Sequence, residues 1–153
     1  MKLMLDTNIF NSVCDGKIKL NIFEGHQLCS THVQSDELNE TKDESRRKKL
    51  LEVFTFTDTK RMNTESAVWG ASSWGEANWT SDTQKFDEML ATLRVLDKKS
   101  MKKPRIHNQN RDILIAQTAI ENGIVLVTDD GNLREVCEAF GGQAWSIERL
   151  RTQ

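Results

Sequence analysis

The sequence predicts an α/β fold in which a parallel sheet carries helices on both faces, and three observations lead there. Leu3, Met4 and Leu5 stand in a row near the amino end, and Ile124-Val125-Leu126-Val127 form a second unbroken apolar run. Runs without polar alternation are expected of interior strands buried on both faces. Strand and helix signals then alternate along the chain at a spacing that calls for right-handed crossovers. Finally, both runs end in polar turns that hold an aspartate, Asp6-Thr7-Asn8 and Thr128-Asp129-Asp130. In open α/β sheets ligands bind at such carboxyl ends, where strand order reverses. At 153 residues and 37% hydrophobic, the chain is expected to form one soluble domain.

The elements follow in order. Met1–Leu5 is the first strand, and the stretch from Thr7 to Leu20 is expected to hold a short helix. Gly25 marks a turn before a strand at Gln27–Ser30, which leads into a helix from about Val33. Glu44–Phe54 reads as a helix: Asp43 with Arg47 and Glu44 with Lys48 are acid-before-base pairs at i,i+4, and Leu50, Leu51 and Phe54 form its apolar side. Phe54 and Phe56 are compatible with the start of another strand. Arg111–Asn122 carries Ile113, Ala116 and Ile120 on one face and stops at Gly123, a favourable residue just past a helix end. Ile124–Val127 is the next strand. Leu133, Val136, Cys137 and Phe140 define a last helix, Leu133–Phe140, before Gly141-Gly142 and a final strand around Ala144–Ile147.

The segment from Met62 to about Ser81 has no clear period and places Trp69, Trp74 and Trp79 at intervals of five. It is expected to be an insertion or lid pinned by its tryptophans, with an aromatic platform for unstacked bases as the alternative. No run of about 18 apolar residues is present, and Asp6 interrupts the first run before it could form a signal-peptide core. Cys14, Cys29 and Cys137 are odd in number and widely spaced, so neither a disulfide frame nor a zinc site is suggested. A cytoplasmic protein without membrane partners is the expectation.

Asp6, Glu37, Asp112 and Asp130 are each expected where an apolar run gives way to a turn or helix. Carboxylates gathered within a few ångströms repel one another unless a proton or a cation intervenes. Oxygen-only ligation suits Mg²⁺ or Mn²⁺, singly or as a pair, and such an ion lowers the pKa of its water to make a nucleophile. Each acid also has a plainer explanation. Asp6 and Asp130 could cap the helices that follow, Asp112 could complement a helix dipole from the first turn, and Glu37 competes with Asp36 and Glu40.

Taken together, Leu5-Asp6-Thr7-Asn8, Glu37-Leu38, Asp112 with Ile115-Ala116, and Val127-Thr128-Asp129-Asp130 resemble the ordered acidic signature of PIN-domain nucleases, which include the VapC toxins. The resemblance covers nearly the whole chain outside the tryptophan segment. It implies a Rossmann-like three-layer sandwich whose central parallel sheet has the order 3-2-1-4-5. It also implies a Mg²⁺- or Mn²⁺-dependent endoribonuclease that leaves a 5′-phosphate and a 3′-hydroxyl. Asp6, Glu37, Asp112 and Asp130 would be the catalytic and metal-binding acids, with Asn8 and Thr128 as polar supports. An antitoxin protein and a second copy of the chain stay open as partners. The position two after Asp130, often acidic in the family, is Asn132 here.

Charge adds to this. Between residues 94 and 111 lie Arg94, Lys98, Lys99, Lys102, Lys103, Arg105 and Arg111 against the single acid Asp97, in a chain of net charge −2. A basic strip leading to an acidic centre suits a phosphodiester such as RNA, so Lys98, Lys99, Lys102, Lys103, Arg105 and Arg111 are the candidate substrate contacts; a solvated helix end is the alternative. His26, His32 and His107 are too scattered to suggest imidazole catalysis. An aspartate-dependent phosphatase usually needs a second Asp where Asn8 stands. A non-catalytic RNA- or protein-binding member of the same fold is the remaining alternative.

Overall fold

The chain is represented by a computed structural model that describes residues 1–57, 60–62, 83–103 and 105–153. Its elements are β1 (Lys2–Leu5), α1 (Thr7–Cys14), a short 3-10 turn at Leu20–Phe23, β2 (Gln27–Thr31), α2 (His32–Asn39), α3 (Glu44–Phe56), β3 (Lys60–Met62), α4 (Thr83–Lys99), α5 (Ile106–Glu121), β4 (Val125–Val127), α6 (Gly131–Ala139), β5 (Gln143–Trp145) and α7 (Ile147–Arg151). The five strands form one sheet in the order β3-β2-β1-β4-β5, and every pairing is parallel. This is the order the family resemblance implies, with β1 central between β2 and β4.

The unbroken apolar runs divide their side chains between two cores. Met4 and Leu126 join Met89, Leu93, Ile113, Leu114, Leu133 and Val136 beneath α4, α5 and α6. Leu3, Leu5, Val125 and Val127 join Ile9, Phe10, Leu38, Leu50, Trp145 and Leu150 under α1, α3 and α7. Successive residues of a strand point to opposite faces, so a run with both parities apolar is what a sheet between two helical layers requires. Register aligns Leu3 with Leu28 on one side and with Val125 on the other, so the ends of β1 and β4 lie side by side.

Helix starts are fixed by side chains. Thr31 and Gln34 form a capping box at α2, Asp43 accepts from the Arg46 amide at α3, and Asp130 accepts from the amides of Asn132 and Leu133 at α6. Gly123, at φ 61, ends the approach from α5 to β4 in the conformation that the C-terminal signal requires.

Several boundaries differ from expectation. Phe54 and Phe56 do not start a strand: α3 runs through both, Phe54 packs its ring 5.4 Å from that of Phe10, and the third strand begins at Lys60. The helix α5 begins at Ile106 rather than Arg111, and Ile147 opens α7 instead of closing the last strand. The long helix α4, unanticipated, packs Phe86, Met89, Leu90 and Leu93 into the core. The tryptophans 69, 74 and 79 lie outside the described residues. Among the described residues no helix is long and apolar enough to cross a membrane.

Gly142 is held by its surroundings, not by its backbone angle. A Cβ there would come within 2.6 Å of both Cys137 Sγ and Ile120 Cγ1, and 3.0 Å of the Cys137 carbonyl oxygen. Gly142→Ala should therefore cost about 1–3 kcal/mol through overpacking, measurable as a lower urea midpoint with unchanged m-value. A midpoint equal to wild type would show that α6 and β5 separate freely at this point.

Candidate active site

Because β1 and β4 are parallel neighbours, their carboxyl ends open on the same edge of the sheet. The Asp6 amide donates to the Val127 carbonyl at 2.9 Å, which carries the pairing to the last residue before the site. The Asp6 carboxylate is 4% exposed. Its Oδ1 accepts the Thr7 amide at 2.7 Å, and its Oδ2 accepts the Thr128 hydroxyl at 2.6 Å and the Asn8 amide at 2.8 Å. All three donors are neutral. Burial pushes the Asp6 carboxyl up to about 6; the Thr128 hydrogen bond opposes the rise, and the charges of Glu37 and Asp130 add to it.

The other acids reach this edge from different elements. Glu37 does not follow a strand directly; it lies within α2, where the Thr7 hydroxyl donates to its Oε2 at 2.7 Å. Asp112 likewise lies inside α5, beyond its first turn, so complementing the helix dipole does not account for it. Burial holds its carboxyl well above the usual range, and the charges of Asp6, Glu37, Asp130 and Asp97 raise it further. Asp130 stands at the end of the β4 turn, where its Oδ1 caps α6 and also accepts the Lys102 ammonium at 2.8 Å. Its neighbour Asp129 is turned away and accepts the Ile147 amide at the start of α7.

Thus Asp6, Glu37, Asp112 and Asp130 share one electrostatic environment, although only Asp6 and Asp130 come from strand ends. Among the described residues no group of three or more Asp, Glu, His or Cys side chains forms a ready cage for an ion. Glu37 is engaged by Thr7, and Asp130 by Lys102. The donor set nevertheless suits a hard divalent ion. It is all oxygen, two of its carboxyls are held above their usual range by burial and mutual repulsion, and the buried Asn8 Oδ1 accepts no hydrogen bond.

The basic strip divides. Lys98 and Lys99 end α4 and are exposed. Lys102, Lys103 and Arg105 line a cavity of about 400 Å³ with Asp97, Asn108, Gln109, Asp112 and Asp130. Arg111 does not belong to this surface: it is 3% exposed, and its guanidinium grips both Glu40 oxygens at 2.8 and 2.5 Å. That ion pair ties α5 to the end of α2 and holds Glu40 below the usual carboxylate range, so Glu40 does not compete with Glu37 for the cluster.

Sequence reasoning missed Asp97 as a participant. It is 8% exposed and accepts from Gln109 Nε2 and Asn132 Nδ2, both at 2.8 Å. Its signal was an acid where the apolar stripe Phe86, Met89, Leu90, Leu93 continues. Asn132, noted as a missing acid, serves as a donor to this carboxylate. Lys102 also lies 3.7 Å from Asp97, and although burial alone would lower it, its bond to Asp130 and the two negative charges hold its ammonium above its ordinary value.

No protein-family model matches the chain, and no curated protein matches it either. Solved structures do match across nearly its whole length. PAE2754 from Pyrobaculum aerophilum is 17% identical with a TM-score of 0.54, covering 100% of this chain and 97% of its own. The VapBC2 complex of Rickettsia felis bound to a promoter DNA fragment is 16% identical at a TM-score of 0.53, covering 95% and 98%. VapBC-1 from nontypeable Haemophilus influenzae is 15% identical at 0.52, again covering 95% and 98%. VapBC complexes pair a toxin with an antitoxin, and the VapC toxin is a PIN-domain protein. The chain has a PIN-like fold.

A buried carboxyl with a raised pKa destabilises the folded state once it ionises. In the folded chain Asp6 titrates near 6, against an ordinary 3.8. Below 3.8 it is protonated in both states and contributes nothing; as pH rises from there to about 6, folding binds a proton and Asp6 weakens the fold progressively. In metal-free buffer, Asp6→Asn should therefore gain on wild type between pH 4 and pH 6.5 by roughly 1–3 kcal/mol, read from urea unfolding at each pH. A difference independent of pH across this window would sink the argument.

Proposed function

We propose that the chain is a metal-dependent endoribonuclease. The observation that carries this reading is the pairing of two desolvated, mutually repelling carboxyls, Asp6 and Asp112, with a cavity that Asp112 lines together with Lys103 and Arg105. Among the described residues no cation pairs with either carboxyl, and metal-assisted hydrolysis of a phosphodiester uses a cation at the phosphate oxygens and positive charge along the backbone.

Asp6, Glu37, Asp112 and Asp130 would hold Mg²⁺ or Mn²⁺, with Asn8 Oδ1 as a further oxygen. When bound, the ion supplies an acidified water and neutralises charge on the phosphate. The protein's own part is orientation. Thr128 and Asn8 fix both faces of Asp6 Oδ2, Thr7 fixes the Glu37 rotamer while its backbone holds Asp6 Oδ1, and the Arg134 guanidinium holds the Thr128 carbonyl at 2.7 Å. Lys98, Lys99, Lys103 and Arg105 would bind flanking phosphates of an RNA strand. A 5′-phosphate and a 3′-hydroxyl are the expected ends. The fold match to VapBC complexes supports a toxin role with an antitoxin partner; a cytoplasmic location and a homodimer belong to the same reading, and the sedimentation of the purified chain tests the dimer.

Incubation of RNA with the purified chain and Mg²⁺ or Mn²⁺ should give metal-dependent internal cleavage, and Asp6→Asn or Asp112→Asn should lower the rate by at least about 100-fold. Persistence of cleavage in both variants would assign the activity elsewhere; RNA binding without cleavage by wild type would favour a non-catalytic member of the fold. On an Asp6→Asn background, changing Lys103 and Arg105 together to Ala should weaken single-stranded RNA binding and flatten the log K against log salt slope by about 1.4, the release expected for two phosphate contacts. An unaltered slope would make these residues ordinary solvated surface.

A further inference from the structure

The carboxylates at the sheet edge differ in how their charge is met. Asp6 and Asp112 have neutral partners or repelling neighbours. Asp130 and Asp97, beside the end of α4, share the Lys102 ammonium, at 2.8 and 3.7 Å. The backbone builds this arrangement. At the end of α4 the Met101 amide donates to the Lys98 carbonyl at 3.1 Å and the Lys102 amide to the Asp97 carbonyl at 2.9 Å. These are the two bonds of a Schellman cap, with Met101 in the left-handed conformation at φ 55. Glycine is the usual occupant, and a side chain there costs on the order of 1 kcal/mol. Met101 is 91% exposed, so its own burial returns nothing. The cap throws the chain back so that Lys102 emerges directly over Asp97. The Asp97 carboxylate is in turn held by Gln109 and Asn132, so this acid and its lysine are fixed together.

Resting on the nuclease reading above, we propose that Lys102 is a built-in cation that fills the cation position between Asp130 and Asp97, so that the site takes one divalent ion, held by Asp6, Glu37, Asp112 and the remaining Asp130 oxygen, rather than a pair. Two-metal sites place their second ion a few ångströms from the first, where it meets the charge of the other reacting oxygen. Here an ammonium tethered to the fold stands on the acids that would hold it. Asn132 fits the same arrangement: its Nδ2 donates to Asp97 at 2.8 Å, and it adds no further carboxylate to the cluster. Lys102 would then touch the phosphate directly, and Asp97 would be its positioning residue.

The test is ion stoichiometry, which needs no cleavage. Calorimetric titration of the wild-type chain with Mn²⁺ should give one ion per chain, and Lys102→Met, which keeps the stem and removes the charge, should give two. Electron paramagnetic resonance should show isolated Mn²⁺ in wild type and a spin-coupled pair in the variant. Lys102 is exposed enough that its replacement does not endanger the fold, with 43% of its side chain in solvent. Two ions in wild type would overturn the inference while leaving the metal site intact. One ion in both proteins would overturn it as well, since the lysine would then not be what excludes the second. An absence of Mn²⁺ binding in wild type would remove the metal-site reading itself and this inference with it.

Discussion

The end of β1 places a carboxylate in the interior with only neutral donors around it, and much of the site is an answer to that constraint. Asp6 has a hydroxyl from Thr128, an amide from Asn8 and the backbone of Thr7. Three neutral hydrogen bonds orient an anion well but do not cancel its burial, and its carboxyl stays above the ordinary range. A structural aspartate in this position would be expected to meet an arginine or lysine. The cluster instead adds further carboxylates, and two cations beside it are directed elsewhere: Arg111 to Glu40 and Lys102 to Asp130 and Asp97. Carboxyls raised by burial and by like charge are a pattern that clusters at functional sites.

The rigidity needed to hold it comes from the sheet. Asp6 and Thr128 directly follow adjacent parallel strands whose side chains fill both cores, and neither strand can slip without moving apolar residues between faces. The Thr128 amide also donates to the Trp145 carbonyl, so β5 supports β4 at the level of the site. The acids on helices are secured by polar links: Glu37 through Thr7, and α5 through the Arg111–Glu40 pair at the end of α2. Position is therefore set by packing for the central acids and by hydrogen bonds for the peripheral ones.

This division explains what the sequence made legible. Interior strands announce themselves because both parities are apolar, so β1, β4 and the acids that follow them could be read from Leu3-Met4-Leu5 and Ile124–Val127. The beginning of α5 could not, because Arg105 caps it without a side-chain bond and Ile106-His107-Asn108-Gln109-Asn110 lacks an apolar period; the signal emerges only at Ile113. Phe54 and Phe56 show the opposite failure. Their alternation resembles a strand, but Phe54 is drawn onto Phe10 by the helix that already contains Leu50. For the site, residue types were informative and partners were not. The sign of Arg111 was readable, whereas its burial against Glu40, 71 residues away, depends on how α2 and α5 meet.

The cap after α4 turns a local backbone detail into a property of the whole site. Without the left-handed residue at Met101, Lys102 would continue outward with Lys98 and Lys99, and the strip would be a uniform positive surface ending at an uncompensated acidic cluster. With it, charge is graded. Exposed Lys98 and Lys99 end the helix, Lys102 is shared by Asp130 and Asp97, and Asp6 and Asp112 stand beyond it with no cation paired to them among the described residues. A polyanion approaching such a gradient is drawn to the rim by long-range attraction, but its phosphate can replace neither Asp130 nor Asp97 on Lys102 without exposing those acids to each other and to Asp112. On the proposed reading a cation among Asp6, Glu37 and Asp112 would relieve that repulsion, and substrate and ion would be coupled through one lysine, each making the other's position less costly to occupy.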